Sequence, residues 1–229
     1  MNALETPPAT HSLRHAGDEP ARMDLWLVRH AQPLVDAGIC YGRLDVAADA
    51  GATAECAQAL AQWLPASSRV ISSPLQRCEQ LAHALYALRP DLSYKTDARL
   101  QEMDFGQWEG RAWNDIGAAA LDAWVADFAL HRPGDGESVQ VFMQRVAELW
   151  DEASAAAPAA GADRAAGAGT LWITHAGVLR AVSLLEHGIR CISRADQWPR
   201  AALGFGQWRR LALARNDRPE PAGVNDQGG

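Results

Sequence analysis

Two short runs of wholly apolar residues decide most of what this 229-residue chain can become. Leu25-Trp26-Leu27-Val28 ends abruptly on Arg29 and His30, and Leu171-Trp172-Ile173 passes through Thr174 onto His175. A run that is apolar at every position, and not only at every second one, is the pattern of a strand buried on both faces. In open α/β sheets, ligands bind just beyond the carboxyl ends of such strands. A cation and a potential nucleophile at that point, Arg29 and His30, suit an anionic group.

The rest of the chain alternates helix and strand signals. From Thr53 to Leu64, Cys56, Leu60, Trp63 and Leu64 fall at helical spacing, and Pro65 stops the helix. Arg69–Ser72 reads as a strand running into Ser73-Pro74, where Ser73 can cap a helix and Pro74 suits its first turn. Leu81, Leu85 and Leu88 mark the stripe of that helix, and Leu92–Thr96 reads as a third strand. Leu100 to Gly110 has no helical period and reads as a structured loop. Leu121, Trp124, Val125 and Phe128 share one helical face. Pro133-Gly134-Asp135-Gly136 reads as a turn, and Ser138 as the cap of a helix that buries Val139, Phe142, Val146, Leu149 and Trp150. After Thr170–Thr174, a helix carries Val178, Leu179, Val182 and Leu185, and Ala202 to Leu213 reads as a final edge strand. Trp63, Trp124 and Trp150 are assigned to the core, and Phe105, Trp108 and Trp113 to packing.

This order predicts an α/β fold, a single-domain three-layer α/β/α sandwich with a mostly parallel sheet and three functional strand ends on one edge. Residues 1–22 read as a disordered arm, 23–214 as the domain with a mobile Ala/Gly connector at 153–169, and 215–229 as a flexible tail. The arm holds another arginine–histidine pair, Arg14-His15, but what precedes it cannot form a buried strand.

A net charge of −7 argues against a nucleic-acid partner. Cys40, Cys56, Cys78 and Cys191 are too widely spaced for a zinc ribbon or a redox dithiol. No stretch reaches membrane-spanning length and no signal-peptide pattern opens the chain, so a cytoplasmic protein is expected.

Phosphoryl transfer to a histidine has definite requirements. The nucleophile is a neutral imidazole with one nitrogen held by a hydrogen bond. Arginines fit the non-bridging oxygens, and a carboxyl group protonates the leaving oxygen. His30, Arg29, Arg77 and His175 can fill these roles, with Glu102, Asp104 and Glu109 competing for the last. Two arginines and a second histidine neutralise the developing charge, so neither metal nor cofactor is required.

Four segments then point the same way: Leu27-Val28-Arg29-His30-Ala31-Gln32, Ser72-Ser73-Pro74-Leu75-Gln76-Arg77, Leu100 to Gly110, and Thr174-His175-Ala176-Gly177-Val178. In this order they resemble the signature blocks of the histidine phosphatase superfamily, the phosphoglycerate-mutase-like fold. Within it, Tyr41-Gly42-Arg43-Leu44-Asp45, Glu102 to Gly110 and Pro133 to Ser138 look like the α-ribazole phosphatases of cobalamin synthesis. The resemblance implies His30 as a phosphohistidine-forming nucleophile and Arg29, Arg77 and His175 as the phosphate pocket. It also implies Glu102 as proton donor and Gln32, Tyr41 and Ala176 as substrate contacts. The implied activity is metal-independent hydrolysis of a small phosphorylated metabolite, without nucleic acid or membrane, with a homodimer left open. A broad-specificity phosphatase, a phosphoglycerate mutase and a non-catalytic phosphate binder are the alternatives. Three positions depart from the family pattern: Ala31, where glycine is usual and a positive φ would strain alanine, Pro33 and Asp36.

Overall fold

The computed structural model describes residues 23–157 and 169–213. The expected arm, most of the expected connector and the expected tail lie outside the described residues. Among the described residues, five strands form one sheet: β1 (Met23–Arg29), β2 (Arg69–Ser72), β3 (Ser93–Thr96), β4 (Thr170–Thr174) and β5 (Trp208–Leu213), in the order β3-β2-β4-β1-β5. Strands β1 to β4 are parallel, and β5 lies antiparallel at the edge beside β1. The helices are α1 (Ala50–Trp63), α2 (Gln76–Leu88), α3 (Trp113–Ile116), α4 (Ala118–Ala126), α5 (Val139–Ala155) and α6 (Ala176–Leu185). Among the described residues, no helix is long and apolar enough to cross a membrane.

The period-two alternation of strand side chains explains why the apolar runs are continuous. Leu25, Leu27, Ile71 and Trp172 enter one core with Phe142, Val146 and Trp150 of α5 and Val178 and Val182 of α6. Trp26, Val28, Val70, Leu171 and Ile173 enter the other, with Cys56 and Leu60 of α1 and Leu81 and Leu85 of α2. The expected three-layer α/β/α arrangement results, with β4 buried at every position.

Several expectations fail at element ends. Trp63 is 65% exposed, because Leu64 leaves α1 in an extended conformation (φ −71°, ψ 131°) and turns its own side chain into the core. Ser73 does not cap α2, which begins at Gln76 with Leu75 in the cap position. α4 buries none of its residues fully and leaves Val125 exposed, and it stops at Ala126, so Phe128 is buried from the turn that follows. The last strand starts only at Trp208. The residues before it bend over the end of β1 instead, with Arg29 N–H donating to Gln207 O at 3.1 Å and Gly206 N–H shared between the carbonyls of Arg29 and His30.

Candidate active site

The sheet register brings three strand ends level. His30 N–H donates to Thr174 O at 3.0 Å, and Ser73 N–H to Ile173 O at 2.9 Å. His30, Ser73 and His175 therefore follow β1, β2 and β4 side by side, with the two imidazoles 5.1 Å apart between centroids. Both histidines are buried, His30 at 1% exposure and His175 at 0%.

Their tautomers follow from their partners. His30 Nδ1 lies 2.7 Å from Ala31 O, and a carbonyl can only accept. Nδ1 therefore carries the proton and Nε2 keeps its lone pair. On His175, Nδ1 receives the Arg77 Nε–H at 3.3 Å, so Nε2–H is the donor to Ser73 Oγ at 2.8 Å. Burial, then the Arg77 charge, lowers the His30 pKa to about 3 and holds His175 well below its ordinary value. Both rings are neutral at physiological pH. Ala31 shows no strain, because Ser67 and Asp135 are the non-glycine residues with positive φ among those described.

Around this pair the cations are held differently. The Arg77 guanidinium is fully buried, and besides His175 it donates to Leu44 O (2.8 Å) and Gly42 O (2.6 Å). Arg29 donates to Leu203 O at 3.0 Å and lies 3.8 Å over the Phe205 ring, which also contacts His30 at 5.5 Å. Among the described residues, the Arg29 Nε is buried without a partner.

Glu102 stands at the first turn of α6, where its carboxylate accepts from Gly177 N–H at 3.0 Å and from its neighbour Met103 N–H at 3.2 Å. The loop carrying it is locked by backbone-on-backbone packing: Gly106 and Gly134, both at positive φ, leave no room for a β-carbon on either. Its two acidic neighbours face elsewhere. Asp104 binds Arg43, and Glu109 accepts from the amides of Arg43 and Phe105.

Beside Glu102 opens a cavity of about 310 Å³. Arg29, Glu102, Tyr41 and Arg180 supply its polar wall, and Phe105, Trp113, Trp124, Phe128, Phe142 and Trp198 its aromatic one. Ala176 also lines it. Phe105, Trp113 and Trp124 thus reach the cavity, whereas Trp108 is packed beneath at 7% exposure. Gln32 is exposed and stands outside the cavity wall, as do His30, Arg77 and His175. Asp36, too, is exposed. Sequence reasoning missed Ser73 as a partner of His175, Phe205 as the cover of His30, and Arg180. Ser73 was hidden by its resemblance to a helix cap, and Phe205 by a stretch that alternates like a strand.

Neutral, tautomer-fixed His30 thus stands with Arg29, Arg77 and His175 at the carboxyl edge of a parallel sheet, an arrangement that can receive an anionic group. Residues 25–196 match the model of the histidine phosphatase superfamily (branch 1), and the chain belongs to that superfamily. It is 33% identical over 130 residues to the adenosylcobalamin/α-ribazole phosphatase of Escherichia coli (strain K12), a match covering 54% of this chain and 63% of that protein. The solved structure of a putative α-ribazole-5′-P phosphatase from Escherichia coli superposes with a TM-score of 0.68 at 26% identity, over 84% of this chain and 91% of that one. A mycobacterial glucosyl-3-phosphoglycerate phosphatase superposes with a TM-score of 0.67 at 25% identity, over 83% and 90%.

Proposed function

We propose that this protein is a phosphomonoesterase that works through a phosphohistidine on His30. The observation that carries the reading is the fixed tautomer of His30. With Nδ1–H tied to Ala31 O, the Nε2 lone pair is the nucleophile, and it requires no deprotonation. Nε2 attacks phosphorus, the bond from phosphorus to the leaving oxygen breaks, and that oxygen takes a proton from the Glu102 carboxyl as the alcohol departs. Water then attacks the phosphohistidine and gives its proton to the Glu102 carboxylate. The P–N bond breaks, its electron pair returns to Nε2, and inorganic phosphate leaves. Arg29, Arg77 and His175 surround the transferring group, where arginine donors offset the charge that builds on its oxygens.

For the substrate, a small phosphorylated metabolite with a flat, largely apolar leaving group suits the aromatic wall beside Glu102. α-Ribazole 5′-phosphate is the best single choice, supported by that wall and by what the Escherichia coli relative acts on. Tyr41 and Ala176, in the same wall, are the proposed substrate contacts, and Gln32 joins them on the resemblance alone.

The test has two stages. Hydrolysis of an aryl phosphate in EDTA is expected in the wild type and absent in His30→Ala; activity that survives the substitution rules out the phosphohistidine route. Then kcat/KM for α-ribazole 5′-phosphate is expected to exceed that for glucosyl-3-phosphoglycerate and 3-phosphoglycerate by at least tenfold. Equal values leave a phosphatase of broader specificity, and conversion of 3-phosphoglycerate to 2-phosphoglycerate would make it a mutase.

A further inference from the structure

Glu102 lies in a stretch, Gln101 to Phe105, that belongs to no helix or strand. Such a segment has no ladder to satisfy its carbonyls or hold its course. One side chain from α5 does both. Arg145 Nη1 donates to Arg99 O and to Gln101 O, each at 2.8 Å, and Nη2 donates to Glu102 O at 3.1 Å. Its remaining donors go to Glu137, with Nε to Oε1 at 2.7 Å and Nη2 to Oε2 at 2.8 Å. All five N–H groups of the guanidinium are therefore used, and its plane lies 4.6 Å over Phe142. Glu137 closes the loop from the other side, since its own N–H donates to Asp104 O at 2.8 Å.

The pair is largely buried, with side chains 18% and 12% exposed. A buried ion pair is weak as a source of stability, because desolvation offsets the attraction. What it fixes well is geometry. The fork reaches three carbonyls within four residues of the chain, which a lysine ammonium cannot reproduce. The Glu102 carboxylate, meanwhile, is aimed at the first turn of α6 and the cavity.

We infer that Arg145, held by Glu137, is a positioning residue that sets the backbone at Glu102 so that its carboxyl meets the leaving oxygen. The inference rests on Glu102 being the proton donor. Loss of the acid should harm only those substrates whose leaving group needs a proton. The 2,4-dinitrophenolate of an aryl ester departs unaided, whereas the alkoxide of an alkyl ester does not.

The experiment measures kcat/KM for 2,4-dinitrophenyl, phenyl and alkyl phosphates in the wild type, Glu102→Ala, Arg145→Met, Arg145→Lys and Glu102→Ala/Arg145→Met, with thermal melting of each. Glu102→Ala is expected to lose roughly 10²-fold on the alkyl ester and little on the dinitrophenyl ester. Arg145→Met is expected to show the same selective loss, and the double variant no further loss. If Arg145→Met does not fold, Arg145→Lys, which keeps the charge opposite Glu137, is read in its place and is expected to show the same selectivity. Equal losses on all three esters would make Arg145 merely structural, and unchanged rates would make it irrelevant; either result overturns the inference. If Glu102→Ala itself shows no selectivity, the reading of Glu102 fails. Selectivity in Glu102→Ala but not in the Arg145 variants removes this inference alone.

Discussion

Gly177 and Glu102 are in such close approach that the Gly177 amide donates to Oε2 at 3.0 Å, while a β-carbon on residue 177 would overlap Oε1. The glycine is inside α6, where alanine would favour the helix by up to about 1 kcal/mol. Gly177→Ala therefore sets local stability against site geometry. Its melting temperature is expected to stay near the wild-type value while kcat/KM on an alkyl phosphate falls roughly tenfold or more. Unchanged kinetics would show that the carboxylate has no need of this seat.

The two buried imidazoles make stability depend on pH. In the folded protein His30 takes up a proton only near pH 3 and His175 also well below its ordinary value, whereas in the unfolded chain both do so near 6.5. Between those limits the unfolded state binds more protons, so stability is complete above pH 6.5 and falls as pH drops towards 3. The slope approaches about 1.4 kcal/mol per pH unit for each histidine. Urea denaturation at pH 7, 6 and 5 measures it, and His30→Asn is expected to reduce the slope.

Phe205 both stacks on Arg29 and covers His30, and burial is the largest cause of the low His30 pKa. Phe205→Ala should admit water and raise that pKa towards 6.5. It should also remove a cation–π contact of about 0.5–2 kcal/mol. Titration of the His30 ring proton by NMR reads the first effect, and a ring that stays neutral down to pH 4 would mean that Phe205 is not the barrier to solvent.

Two tryptophans that the sequence places alike should behave oppositely. Trp63 is 65% exposed and Trp172 fully buried. Trp63→Gln is expected to change stability by less than about 0.5 kcal/mol. Trp172→Ala is expected to cost about 3–5 kcal/mol, with guanidinium melts giving both values.

That contrast shows where the sequence speaks clearly. The runs ending at His30 and His175 were legible because a strand covered on both faces takes apolar side chains at successive positions, with small threonines at the ends of β4, and a charged or ring-nitrogen side chain follows where the cover stops. The edge strand was legible only in its second half, since the alternation that marks it begins six residues before Trp208. Helix ends were harder, because Trp63 keeps the helical spacing of Cys56 and Leu60 and only the extended turn at Leu64 excludes it. Ser73 has the composition of a cap, yet a buried imidazole competes for its hydroxyl. Arg145 carried no signal at all. Its partners are mostly backbone carbonyls far earlier in the chain, and carbonyls have no letter in a sequence.

The strand order has a temporal consequence. Among the described residues β1 pairs only with β4 and β5, so there the strand that presents His30 has no sheet partner before Thr170. Strands β2 and β3 and helices α1 and α2 can meet through nearby residues, but β1 must wait for the last third of the described chain. Closing so long a span is slow, because its entropy is lost before any contact repays it. His30 precedes β4 in the chain by the whole length of α1 to α5 and is set in place only when β4 docks, so the reactivity proposed for His30 and completion of the sheet arrive together.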